Sequence, residues 1–354
     1  MSDIFFVASK HVLGVRTNSS NFKWSYGMNM PQVTQEDFEA CRIKIRLTVV
    51  DQIESTDGSQ GEWSDLPGKY HYFSGMPNCD ILRYRRNFLF GSELQIEARD
   101  LLTEEPHLLV NKHYFKYITH RFMNLHSIGY ILTDLASLLL LQRGFTPVHC
   151  SSFQSGNATV VVLAPPNTGK TLSAMMSCME HGAGFIAEDL AITDGKTIYS
   201  VPWTSTFRYY SSVDQGRLNA FINKATKVFP PLELLPLTKP KPIDDYVESR
   251  RLIDSAPITH VAILERGDEG VFHEKSDEAY RKALNLNRYE FNYHRAPMLV
   301  AHEFFNPELN LDEACLAERR ILRTMVDSAK ELLVVRTTDA TRYAGLMLDH
   351  LGKN

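Results

Sequence analysis

Along the first 118 residues, apolar and polar positions alternate in short runs: 4–8, 42–50, 70–73, 82–90 and 94–97. Alternation with a period of two is the mark of a half-buried strand, and turn pairs such as Asp57-Gly58 and Pro67-Gly68 separate the runs. The pattern changes at residues 120–143. Leu125, Ile128, Ile131, Leu132, Leu135, Leu138 and Leu139 fall three and four apart, which predicts one long buried helix stopped by Gly144. A β–β–α–β order follows. Strand 148–153 turns at Ser155-Gly156-Asn157 into 158–164, an unbroken apolar strand. A helix over 171–181 ends at Gly182 and Gly184, and a further strand starts at 185–187. Asp194-Gly195 closes a hairpin between 190–193 and 197–201. Residues 229–242 hold Pro230, Pro231, Pro236, Pro240 and Pro242, which predicts a loop, a lid or an interdomain linker. A strand at 258–264, a helix at 312–328, a strand at 332–336 and a helix at 339–351 complete the pattern. The pattern divides the chain into a β-rich (α+β) N-terminal domain, 1–120, and an α/β domain, 121–354.

Composition narrows the function. Of 354 residues, 44% are apolar and 23% charged, which suits a folded chain with a sizeable core. Lys plus Arg number 38 against 42 Asp plus Glu, a net charge of −4. So balanced a chain is not built around a nucleic-acid backbone. The five cysteines are scattered, with no CxxC, which argues against a secreted disulfide framework. The longest apolar stretch, 128–141, contains Thr133 and Asp134 and falls short of a membrane span, and the N-terminus lacks a signal-peptide pattern. These features predict a soluble, cytoplasmic protein.

Three constellations suggest chemistry. Ala164-Pro165-Pro166-Asn167-Thr168-Gly169-Lys170-Thr171 fits the phosphate-loop (Walker A) pattern, with Ala in the first glycine place. In such a loop, backbone N–H groups and a helix N-terminus hold phosphate oxygens. Asn167, Thr168 and Gly169 would line the nucleotide phosphates, Lys170 would add a charge at the β and γ groups, and the Thr171 hydroxyl would bind Mg2+. The second constellation is Glu188-Asp189. A strand–helix–strand unit is normally parallel, so both strands end at one sheet edge, where ligands bind. One carboxylate can then serve Mg2+ and the other can take a proton from an attacking hydroxyl. The third is His149. A hairpin at 155–157 sets it across from about residue 163, at the mouth of the loop. There it could bond a phosphate or orient the catalytic carboxylate.

From His149 through Gly169-Lys170-Thr171 to the acid pair, the sequence resembles the HPr kinase/phosphorylase family. It resembles most the looser HPr-kinase-like group related to phosphoenolpyruvate carboxykinase. The resemblance implies a P-loop kinase core of that α/β class, with ATP and Mg2+ bound at Lys170 and Thr171. It also implies Glu188 as catalytic base and Asp189 as metal ligand. Relatives carry two aspartates, so the division of roles between Glu188 and Asp189 stays open. The segment from Val201 to Arg208 resembles the loop after the acid hairpin in that looser group. Outside these stretches the match fades, and HPr itself is not implied as acceptor. Peptide-tailoring kinases belong to the same looser group, which points to a hydroxyl on a peptide, a protein or a small molecule. The dense polar and aromatic run 287–295 adds Arg288 and Arg295, and the loop adds Arg208, as arms for a γ-phosphate or an acidic substrate.

The expected function is transfer of the ATP γ-phosphoryl group to a hydroxyl acceptor. No nucleic-acid partner and no membrane span are expected, and a homo-oligomer is left open. A nucleotide hydrolase acting as a conformational switch and a non-catalytic nucleotide- or partner-binding module are the alternatives.

Overall fold

A computed structural model describes residues 3–20, 24–27, 30–54, 62–66, 70–76, 79–88, 91–118, 126–204, 243 and 247–352. Arg208 and the proline-rich segment 229–242 lie outside the described residues. Among those described, the chain forms three sheets and eight α-helices, and no helix is long and apolar enough to cross a membrane.

The first sheet has nine strands. They are β1 Ile4–Ser9, β2 Leu13–Thr17, β3 Gln32–Val33, β4 Ile43–Val50, β5 Glu62–Leu66, β6 Tyr70–Met76, β7 Cys79–Asn87, β8 Glu93–Arg99 and β9 His107–Asn111. They lie in the order β3-β1-β2-β4-β9-β8-β7-β6-β5. Two short helices, α1 Gln35–Glu39 and α2 Lys112–Tyr117, accompany it. The β-rich expectation holds, although β2, β3, β5, β9 and both helices carry too few residues for periodicity to reveal. In β4 the alternation is literal: Ile43, Ile45 and Leu47 are buried and their neighbours half-exposed.

Helix α3, Ile128–Gln142, begins three residues beyond Leu125, which lies outside the described residues. Its end follows the expected logic. Gly144 adopts φ 80°, its N–H bonds the Leu141 carbonyl at 3.2 Å, and the Phe145 N–H bonds the Leu140 carbonyl at 2.8 Å. Leu132, Leu135 and Leu138 face a core that also takes Leu13, Ile45 and Leu82 from the first sheet and Met298 and Leu309 from the C-terminal half. This core runs across residue 120.

The predicted strand 148–153 is two strands. Thr146–Val148 (β10) pairs with β14, Ala191–Thr193, in a four-stranded sheet that continues through β15, Thr197–Ser200, to β16, Ser255–Pro257. Ser151–Ser155 (β11) belongs to a six-stranded sheet. His149 and Cys150 are the crossing between the two sheets. Residues 146–148 and 151–153 are buried on both sides of the crossing, so no exposed position marks the break.

The six-stranded sheet has the order β13-β11-β12-β17-β19-β18, with β12 Ala158–Leu163, β13 Gly184–Ala187, β17 His260–Glu265, β18 Gly270–His273 and β19 Glu331–Arg336. The β11–β12 hairpin has a two-residue turn, with Gly156 at φ 55°. Strand β12 is parallel to β17 and reads as a continuous apolar run because both its faces are covered. Val160 and Val162 pack with Ala174 and Met175 of α4, Lys170–Met179, and with Tyr343 and Met347 of α8, Arg342–Leu351. Val161 and Leu163 pack on the other face with Ala279 and Ala283 of α5, Ser276–Glu290, and with Leu322 and Met325 of α7, Leu311–Ser328. Each buried valine or leucine contributes roughly 1.5–3 kcal/mol. Helix α6, Pro297–Phe305, packs on the first sheet and was not anticipated, nor was most of α5.

Candidate nucleotide site and adjoining cavity

Strand β12 ends at Leu163, and α4 starts seven residues later. Between them Asn167 has φ 61° and Gly169, the helix N-cap, φ 115°. Left-handed residues in so short a loop turn successive N–H groups inward, which makes a concavity for anions. The Thr168 N–H bonds back to the Pro165 carbonyl at 3.3 Å and closes the turn. Gly169 is required twice. Its φ is left-handed, and a Cβ there would lie 2.9 Å from the Ala340 Cβ. Ala164 is buried as the last residue before the loop, Thr168 is also buried and Thr171 is half-buried at the first turn of α4.

The Lys170 side chain is buried, and among the described residues its Nζ has no hydrogen-bond partner. Among the described residues its ion-pair contact is Asp189 Oδ1 at 3.7 Å. Burial pushes its proton affinity down, and Asp189 opposes that shift. A desolvated ammonium held without a hydrogen bond is costly unless something absent completes it.

The acid pair reaches this point by the expected route, with one strand interposed. Strand β13 is antiparallel to β11, as is β12, so β12 and β13 run the same way and end at the same edge. The two acids then part. Glu188 is buried, and its carbonyl accepts a hydrogen bond from the Ser151 hydroxyl. Asp189 is half-exposed, near Lys170 and 3.6 Å from His149 Nδ1. The same ring nitrogen also lies 3.8 Å from Glu290 Oε2, so two carboxylates converge on His149 Nδ1. Burial, with the Lys170 charge, pushes His149 down to about 4 despite Asp189, so the ring is neutral at pH 7. Its position is fixed by a buried chain of contacts. The His149 backbone N–H donates to Asn287 Oδ1 at 3.3 Å, Asn287 Nδ2 donates to Glu318 at 2.6 Å, and the Tyr293 hydroxyl donates to Glu318 at 3.2 Å.

A cavity of about 400 Å3 adjoins Asp189, and it is lined by His149, Asp189, Glu290, Arg295, Tyr130 and Ser25 among others. Ser25 comes from the N-terminal segment and is tied to α3 by its N–H, which donates to Thr133 Oγ1 at 3.4 Å. Of the arginines in the run 287–295, Arg295 lines the cavity. Arg288 does not; it is half-buried, with its charge felt by Glu318 and His294. Arg208 lies outside the described residues.

Glu290 is the site residue that sequence reasoning passed over. It sits at the last position of a fifteen-residue helix, and nothing local marks it out. Burial and the Asp189 charge push its carboxyl above the usual range, against Lys170. Arg266, in the segment after β17, comes to 3.5 Å from the Asn167 carbonyl, at the rim of the loop.

In comparison with known proteins, the chain matches no protein-family model, and no curated protein matches it closely enough to count as a relative.

Proposed function

We propose that the protein is an ATP-dependent phosphotransferase that moves the γ-phosphoryl group to a hydroxyl acceptor. The observation that carries this reading is the buried, unbonded ammonium of Lys170 at the foot of a strand–loop–helix concavity. A phosphate chain supplies what that ammonium lacks, and the loop N–H groups and the α4 N-terminus meet the remaining oxygens. The second support is the cavity beside Asp189, which gives an acceptor a place next to the phosphates. The resemblance of the stretch from His149 to Asp189 to HPr kinases agrees with both.

The residues present fit Mg2+ carried with the nucleotide. Such an ion needs one or two protein oxygens beyond the phosphates and water, and the Thr171 hydroxyl is the group that would hold it. Among the described residues no group of three or more His, Cys, Asp or Glu could hold a metal unaided. Bound there, Mg2+ would offset charge on the phosphate oxygens. The protein's own groups do the rest. Loop amides and Lys170 fix the γ-phosphorus. The acceptor oxygen attacks it, the bond to the β–γ bridging oxygen breaks, and ADP leaves with the electron pair. The acceptor proton passes to a carboxylate. Asp189 faces both the lysine and the cavity, whereas Glu188 is buried, so Asp189 is the acid positioned for direct contact.

Calorimetric titration with Mg·ATP tests the reading. Wild type should bind saturably, and Lys170→Ala should lose roughly tenfold or more, since each hydrogen bond to a charged group contributes about 1.5–3 kcal/mol. Equal affinity in both proteins would sink the assignment of the loop.

A further inference from the structure

We propose that the cavity beside Asp189 is the acceptor site and that it takes a free hydroxy amino acid, held by its two charges. This inference rests on the phosphotransferase reading above. The cavity volume of about 400 Å3 lies within the usual range for small-ligand sites. Its wall toward the phosphate loop presents Asp189 and His149, where the hydroxyl must arrive. One neighbouring segment supplies both signs of charge: Glu290 at the end of α5 and Arg295 in the turn that follows. A zwitterion carries its ammonium and carboxylate on adjacent atoms, so it needs opposite charges on neighbouring parts of one wall.

Both groups are available. Among the described residues Arg295 is exposed and pairs with no carboxylate, although Asp134, Asp189 and Glu290 line the same cavity. Among the described residues the ion-pair contact of Glu290 is to His149 Nδ1 at 3.8 Å, a nitrogen that Asp189 also approaches at 3.6 Å. A ligand ammonium would offset both acids, and a ligand carboxylate would meet the guanidinium fork. Ser25, from the N-terminal segment, and the exposed ring of Tyr130, from α3, also line the cavity. In the reaction the side-chain oxygen attacks the γ-phosphorus, its proton goes to Asp189, and O-phospho amino acid and ADP leave.

The test uses the full chain and four named probes: L-serine, L-threonine, ethanolamine, which lacks the carboxylate, and glycerate, which lacks the ammonium. ADP formation is followed with each at saturating Mg·ATP, and phosphorus NMR identifies the product. Serine or threonine should be phosphorylated well above the water background. Ethanolamine and glycerate should be poorer by roughly 10- to 100-fold, the worth of one hydrogen bond to a charged group. Arg295→Ala should bring serine down to the level of ethanolamine. If it weakens Mg·ATP binding instead, Arg295 reads the γ-phosphate and the proposal is overturned. Ser25→Trp should block amino-acid turnover by filling the cavity and leave Mg·ATP affinity unchanged. Tyr130→Ala, at an exposed position, is the second variant should the tryptophan disturb folding, and should raise KM for serine. Saturable Mg·ATP binding with no acceleration by either amino acid would overturn this inference alone. Absence of Mg·ATP binding would overturn the phosphotransferase reading itself.

Discussion

The two large sheets bury charge in opposite ways. In the N-terminal sheet Arg83 and Glu97 sit directly opposite each other on neighbouring strands, both buried. Arg83 Nε donates to one Glu97 oxygen, Arg99 Nε donates to the other at 2.7 Å, and the Arg83 guanidinium lies 4.5 Å from the centre of the Trp63 ring. Beside the six-stranded sheet the buried cation is Lys170, at the start of α4, with a carboxylate at 3.7 Å and no hydrogen bond among the described residues. The first arrangement is complete without help, and the second is not. A buried ion whose hydrogen bonds close among its neighbours is part of the scaffold, whereas one left open at a sheet edge marks where a ligand completes the structure.

The sharpest test of this contrast is a pair of charge removals. Glu97→Ala leaves Arg83 buried and poorly compensated, which should cost about 3–5 kcal/mol of stability. Lys170→Met keeps the length and apolar stem of the side chain and removes a desolvated charge. Its melting temperature should be unchanged or higher, while Mg·ATP affinity collapses. Thermal denaturation and calorimetric titration of both variants check the pair. A large loss of stability in Lys170→Met would place that lysine with the scaffold and end the comparison.

What was legible in the sequence follows the same division. The strand–loop–helix from β12 to α4 could be read because its signals are local: an apolar strand, a tight turn with a glycine and a helix start are consecutive. The end of α3 was legible for the same reason, since Gly144 closes the helix through its own neighbours. Where partners distant in sequence decide, the reading failed. The crossing at His149 and Cys150 depends on β10 finding β14 while β11 finds β12. Strand β11 sits between β12 and β13, which the strand–helix–strand rule does not foresee. Glu290 belongs to the site only because α5 packs on the six-stranded sheet through Ala279 and Ala283 and ends beside His149. The separation of Glu188 from Asp189 is equally non-local, because it depends on the Ser151 hydroxyl holding the Glu188 carbonyl.

That separation gives the second test, within the open region alone. Asp189 pairs with the loop lysine and lines the cavity, whereas Glu188 is enclosed. Asp189→Asn should therefore lower phosphoryl transfer by roughly 10²–10⁴, the usual worth of a positioned proton acceptor. Glu188→Gln should cost less, with ATP affinity little changed in either. Partial recovery of Asp189→Asn at high Mg2+ would assign it to the metal, and no recovery would assign it to the proton. Turnover more sensitive to Glu188→Gln would return the chemistry to the buried acid.

The smallest expected effect concerns pH and separates the two regions by where they lose stability. His149 is pushed down to about 4 by burial and by Lys170, against an ordinary value near 6.5. In the unfolded chain the ring takes up a proton as pH falls through about 6.5, whereas in the folded protein it stays neutral until about 4. The unfolded state therefore binds more protons between these values, and stability must fall as pH falls through that window. Above it the contribution is constant, and below it no more is lost. His149→Gln removes the ring and should flatten this slope, by an amount on the order of 1–2 kcal/mol between pH 7 and pH 5. Denaturant titrations of wild type and variant at the two pH values measure the difference. The Arg83–Glu97 pair adds no histidine to that window, so variants there should shift both curves in parallel. If His149→Gln leaves the slope unchanged, the ring is already charged at neutral pH. It would then face Asp189 and Glu290 as a cation, and the open region would be more nearly self-completed than the contrast with the N-terminal sheet requires.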